Sequence, residues 1–108
     1  MKPARLAAEA LVELSEAAAW YESQREGLGE ELLREFEVAL AAIESRHSAF
    51  PRLLGISSDL NVRRALLPRF PYAAVFMELP SEIRILAVAH AKRRPKYWLN
   101  RVTSSKRR

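Results

Sequence analysis

The hydrophobic period of the chain changes at Val62, and no other feature of the sequence constrains the fold as much. Before that point, residues 7–24 place Leu11, Leu14, Ala18 and Tyr21 on one stripe at spacings of three and four. Glu9, Glu13, Glu16 and Glu22 lie largely off it, so the segment reads as an amphipathic helix. After the turn REGLG the pattern resumes through Leu32, Phe36, Ala39 and Ile43, giving a second helix from near Leu28 to His47. A glycine-bearing turn this short makes the pair an antiparallel hairpin.

Residues 48–61, with Pro51, Gly55 and a polar cluster, read as the connection out of the helices. The runs VRRALL (62–67), YAAVFMEL (72–79) and EIRILAVAH (82–90) are then β-rich and separated only by PRFP and PS. Such connections favour antiparallel neighbours over crossovers, hence a meander of three strands. KPARLA could add a fourth strand at an edge, where Pro3 cannot donate to a ladder. Alternation in the last run puts Ile83, Ile85, Ala87 and Ala89 on the face expected to pack on the helices, and turns Arg84, Leu86, Val88 and His90 away. Pro95 suits the first turn of a short final helix over 95–101. The fold class expected is therefore α+β: an N-terminal antiparallel helical hairpin packed on a small antiparallel sheet of three to four strands, with a short C-terminal helix. Residues 1–102 form one domain, and 103–108 a disordered basic tail.

Hydrophobic content of 49% against 29% charged residues fits a packed core. The absence of cysteine excludes disulfides, thiolate nucleophiles and Cys-ligated zinc, and two histidines far apart, His47 and His90, make a poor metal set. No cofactor or metal is expected. There is no run of about 18 apolar residues and no signal-peptide core, so no membrane partner is expected and the cytoplasm is the default compartment. The net charge of +5 conceals a division: residues 1–50 carry five cations against ten carboxylates, residues 51–108 thirteen against three. An anionic partner, nucleic acid or acidic protein, suits the C-terminal half.

Chemistry could reside in AVAHAKRRPKYWLNR, residues 87–101. His90 stands at a strand end beside Lys92, Arg93 and Arg94, either as a proton acceptor or as a residue that fixes the strand exit. Tyr97 and Trp98, with Arg93 and Arg101, could stack on a nucleic acid or bury their rings against the sheet. Arg63 and Arg64 point to opposite faces, so only one can share a face with a groove. Arg69, in PRFP, sits at a loop tip where binding residues often occur. His47 reads as a C-terminal helix cap. There is no glycine-rich phosphate loop and no Ser-His-Asp pattern, and after Asp59 only Glu78 and Glu82 are acidic, which argues against the common hydrolase chemistries.

The order and spacing of AxxWYE, GLG, RRxLLxRFPY and AHxxRxPxYW, over about residues 4–101, resemble the ParE/RelE superfamily of toxins from type II toxin-antitoxin modules, in particular the ParE-like branch of plasmid-stabilisation proteins. The resemblance implies two antiparallel helices on a small sheet and a cognate, often acidic antitoxin encoded alongside. ParE-like members poison DNA gyrase and so stop replication, whereas RelE-like members cut mRNA on the ribosome. Arg64, Arg69, His90, Arg93 and Tyr97 occupy the regions from which an RNase member draws its catalytic groups. The lysines of such enzymes have no counterpart, since only Lys2, Lys92, Lys96 and Lys106 are present. Arginine is a poor proton carrier because it stays charged. The resemblance thus implies a non-enzymatic gyrase poison, with an mRNA endoribonuclease as the alternative and a detoxified antitoxin-binding member as a third. Its target-binding residues are then expected to be Arg69, His90, Arg93, Tyr97, Trp98 and Arg101.

Overall fold

Helix α1 (Ala8–Gln24) buries Ala10, Leu14 and Ala17, with Ala18 and Tyr21 partly buried against the same core; Leu11, expected on the apolar stripe, is 55% exposed, because the buried face is centred on the Ala10–Leu14–Ala17 line. The computed structural model, which describes residues 2–56 and 60–106, continues into α2 (Leu28–Arg46), burying Leu32, Phe36 and Ile43. Gly27, at φ 88°, makes the left-handed turn between the helices. No N-cap side chain opens α2; the Glu22 carboxylate does that work by accepting from the Gly27 and Gly29 N–H groups at 2.8 and 3.0 Å. Gly29 also sits where a Cβ would lie 2.5 Å from the Ala18 carbonyl oxygen, so the close helix approach requires glycine.

A turn of 3-10 helix (His47–Ala49) leads to β2 (Val62–Leu66), β3 (Tyr72–Glu78) and β4 (Ile83–His90), an antiparallel meander as expected. The N-terminal segment adds β1 (Ala4–Leu6), and the sheet order is β1-β4-β3-β2. Unlike the other pairings, β1 runs parallel to β4. Pro3 contributes only its carbonyl, to the Ile83 N–H at 2.9 Å, so the missing donor costs nothing at this position. The outward Ala4 N–H is taken by Glu44 of α2 at 2.7 Å, which blunts the edge.

One irregularity overturns the predicted facing of β4. Val75 pairs with Ala87 but Phe76 pairs with Ile85, leaving Leu86 as a bulged residue. The extra residue inverts the alternation. Ile83, Ile85 and Val88 join the core under the helices, while Leu86, Ala87 and Ala89 join a second apolar cluster on the opposite face, with Val62, Val75 and Met77. His90 consequently lies on the helix side, opposite its expected direction, with its ring edge-on to Tyr72 at 4.9 Å.

The final helix, α3 (Leu99–Lys106), starts later than predicted and runs into the segment expected to be a disordered tail, whose residues 107 and 108 lie outside the described residues. Lys96, at φ 62°, explains the shift: a left-handed residue one after Pro95 cannot continue a helix begun there. Trp98 and Val102 then close the second cluster. Among the described residues, no helix is long and apolar enough to cross a membrane.

Candidate interaction grooves

On the face away from the helical hairpin, α3 covers only part of the sheet. The uncovered part is paved by Arg64 and Val75 of one cross-strand row and by the next row, Leu66–Ala73–Ala89. Ala73 and Ala89 leave a trough where larger residues would fill the space. The resulting groove has a volume of about 540 Å³ and is lined also by Leu53, Leu54 and residues 93–98, the two segments meeting where Lys96 Nζ donates to the Gly55 carbonyl at 3.4 Å. Leu54 is 90% and Leu66 66% exposed, a cost for any surface that water alone covers.

The rim is basic. Arg64, Arg93, Arg94 and Lys96 border the groove, and among the described residues no carboxylate lines it. Elsewhere three carboxylates of the acidic half hold cations of the basic half: Glu13 holds Arg101, and Glu31 and Glu35 hold Arg69. In the reverse sense Glu78 holds Lys2 and lies 3.3 Å from His47 Nε2. Glu78 is kept below the usual carboxylate range, chiefly by the Lys2 hydrogen bond, against the opposing effect of burial. Part of the charge dipole of the sequence thus folds into paired contacts, beside one positive trough.

Of the residues singled out from sequence, Arg64, Arg93, Tyr97 and Trp98 come to this groove, and His90 reaches its end from the helix side, beside Tyr72. Arg69 does not. Its backbone N–H and Nε donate to Glu35 at 2.9 and 2.8 Å and its Nη1 to Glu31 at 3.2 Å, pinning the 68–71 loop onto α2 beside a second groove between α2 and β2. Arg101 borders neither groove. It makes a bidentate pair with Glu13 at 3.0 and 3.1 Å and donates to the Leu86 carbonyl, and both side chains of the pair are about 15% exposed. Trp98, 4% exposed, is a core residue.

Glu13 is the organising group that the sequence reading missed. Besides Arg101 it accepts the Val88 N–H at 3.0 Å and the Tyr97 hydroxyl at 2.8 Å. β1 pairs with β4 only over Ile83–Ile85, so beyond it β4 presents an open edge, which Glu13 and Arg101 occupy with one acceptor and one donor. The only sequence signal was a carboxylate on the flank of the apolar stripe, too common a feature to single out. Arg93 stacks on the Tyr97 ring, its Cζ 3.9 Å from the centroid. His90 Nδ1 accepts the Lys92 N–H at 3.0 Å, which places the proton of a neutral ring on Nε2.

Burial, then the hydrogen bond to Glu13, pushes the Tyr97 hydroxyl up to about 12. A raised folded-state value favours the neutral phenol. The stability this supplies is complete below the ordinary value of 10.0 and is lost as pH rises through about 12. Near-ultraviolet titration should therefore show a late-ionising tyrosine that Glu13→Gln brings down; an unchanged titration would disprove the Glu13 contact.

No family model and no curated protein sequence matches the chain. Among solved structures, it is similar to a chain of the chromosomal ParDE TA system from P. aeruginosa, with a TM-score of 0.63 at 19% identity, over 85% of this chain and 98% of that one. The two share a fold. That fold is the α+β arrangement expected from the period change at Val62, and the likeness spans nearly the whole of the solved chain.

Proposed function

We propose that this protein is the toxin of a type II toxin-antitoxin module, neutralised by a cognate, acidic antitoxin in the cytoplasm, and that its target is DNA gyrase. The observation that carries the reading is the likeness in fold to a chain of a ParDE system across 85% of the sequence. The placement of the candidate catalytic residues supports a poison over a nuclease. An RNase site would need Arg64, Arg69, His90, Arg93 and Tyr97 around one phosphate. Here Arg69 is held at the other groove, the Tyr97 hydroxyl is committed to Glu13, and His90 Nδ1 to a backbone N–H. General acid-base catalysis requires free groups within hydrogen-bond reach of the reacting atoms.

Target contact then falls to the exposed basic turn Lys92–Arg94, with His90 and Tyr97 beside it. Antitoxin seated in the adjoining groove would cover that turn, so neutralisation is steric occlusion. Purified protein incubated with gyrase and supercoiled plasmid should accumulate cleaved gyrase-DNA complexes, and an Arg93→Glu, Arg94→Glu variant should not. Absence of trapping together with cuts in ribosome-bound mRNA would replace gyrase with RNA as the target.

A further inference from the structure

We infer that the second groove, between α2 and β2, is a self-association surface, on which a second copy of this chain docks with its α2 antiparallel to the first. The surface lies on the helix side of the sheet and meets the basic trough only at Leu66, on the edge strand.

The outward side of α2 is not the polar face of a helix that only water covers. Val38, in its middle turn, is 70% exposed, and the groove beside it, of about 490 Å³, is lined by Ala39, Ala42, Phe50 and Ala65. Arg34, Val38, Ala41 and Ser45 are all exposed and recur at spacings of four, three and four. That is the spacing of a seam that packs into the holes of a second helix. Ala41 and Ser45 are short enough to let the two axes come close.

Charge selects the occupant. Glu31 and Glu35 are already matched by Arg69, so two groups at opposite ends of the helix remain. Glu30, its side chain 72% exposed, is held only by Arg34 at 3.5 Å, and Arg46 has no carboxylate partner among the described residues. An acidic segment laid along the groove suits Arg46 but meets Glu30; a basic one suits Glu30 but meets Arg34 and Arg46. A second α2 laid antiparallel suits both ends. A two-fold axis at Val38 sets Val38 against its own copy, brings Arg34 of each helix level with Ala42 of the other, and brings Arg46 of each level with Glu30 of the other. Every contact then occurs twice, as an isologous interface requires, and the two helix dipoles oppose each other. The basic trough of each copy stays uncovered on the far face of its sheet, so the dimer is bivalent.

Sedimentation velocity on the full-length protein, from about 1 to 200 µM, should show one chain giving way to two as concentration rises. Val38→Glu should hold the protein at one chain throughout, and Arg46→Glu should weaken the dimer about tenfold. Both positions are exposed, and thermal melts matching the parent protein confirm that the variants fold. The chain contains no cysteine, which allows an independent reading. Val38→Cys places two thiols at the axis, and oxidised glutathione should link the copies about tenfold faster than it links Glu16→Cys, at an exposed position on α1. A parent protein that stays one chain over the whole range overturns the inference. A dimer that survives Val38→Glu, or that Arg46→Glu leaves unmoved, places the contact elsewhere and overturns it too, as does equal cross-linking of the two cysteine variants. So does a monomeric parent that binds a labelled acidic or basic peptide until Val38→Glu is introduced, since the groove would then serve a different chain. No measurement here involves gyrase, so this result and the trapping result stand or fall separately.

Discussion

Replacing Glu13 with alanine is expected to destabilise the protein by about 3 kcal/mol, because it strips the partner from a largely buried guanidinium and leaves two other donors without an acceptor. Arg101, the Tyr97 hydroxyl and the Val88 N–H all converge on this one carboxylate. For a domain of this size the loss corresponds to a melting temperature lower by about 15 °C. The damage should be local at first. α3 is held to the sheet by Trp98, Val102 and Arg101, and with Arg101 unpaired the C-terminal segment should exchange its amides faster than the helical hairpin does. Combining Glu13→Leu with Arg101→Met should recover much of the stability, since the uncompensated charge is then gone. Thermal and urea unfolding of the parent protein and the two variants decides the matter. A Glu13→Ala loss below about 1 kcal/mol would show that the pair behaves as an ordinary surface ion pair.

The helices and the meander were legible in the sequence because their signals are local and repeated. Leu14, Phe36 and Ile43 recur at helical spacing, and PRFP is too short for anything but a reversal. The direction of His90 was not legible. A single bulged residue, Leu86, inverts every side chain after it, and an apolar run such as ILAVA shows no break in pattern where the extra residue sits. The start of α3 was hidden for a similar reason: Pro95 is a valid first-turn residue, and nothing in the sequence reports that Lys96 adopts φ 62°. The basic groove was half legible. Its arginines were visible as a charge imbalance, but which of them remain unpaired depends on Glu13, Glu31 and Glu35 reaching across the fold to Arg101 and Arg69. Long-range pairing of this kind leaves no short-range trace.

Trp98 separates a packing role from a recognition role more sharply than any other residue. As a target-binding residue it would present its ring to gyrase, and any change to the ring would abolish trapping while leaving the fold intact. In the structure the ring is buried against Leu86, Ala87 and Val102, at the junction between the sheet and α3. Trp98→Ala should accordingly cost about 3–5 kcal/mol, the range for emptying a buried aromatic site. It should lower gyrase trapping together with stability, because the wall of the groove collapses with it. Trp98→Phe keeps an aromatic ring in the site at reduced volume and should cost about 1–2 kcal/mol while leaving trapping close to that of the parent protein. A folded Trp98→Phe protein that fails to trap gyrase would reverse this assignment, since a ring that serves only to pack has no reason to be read by a target.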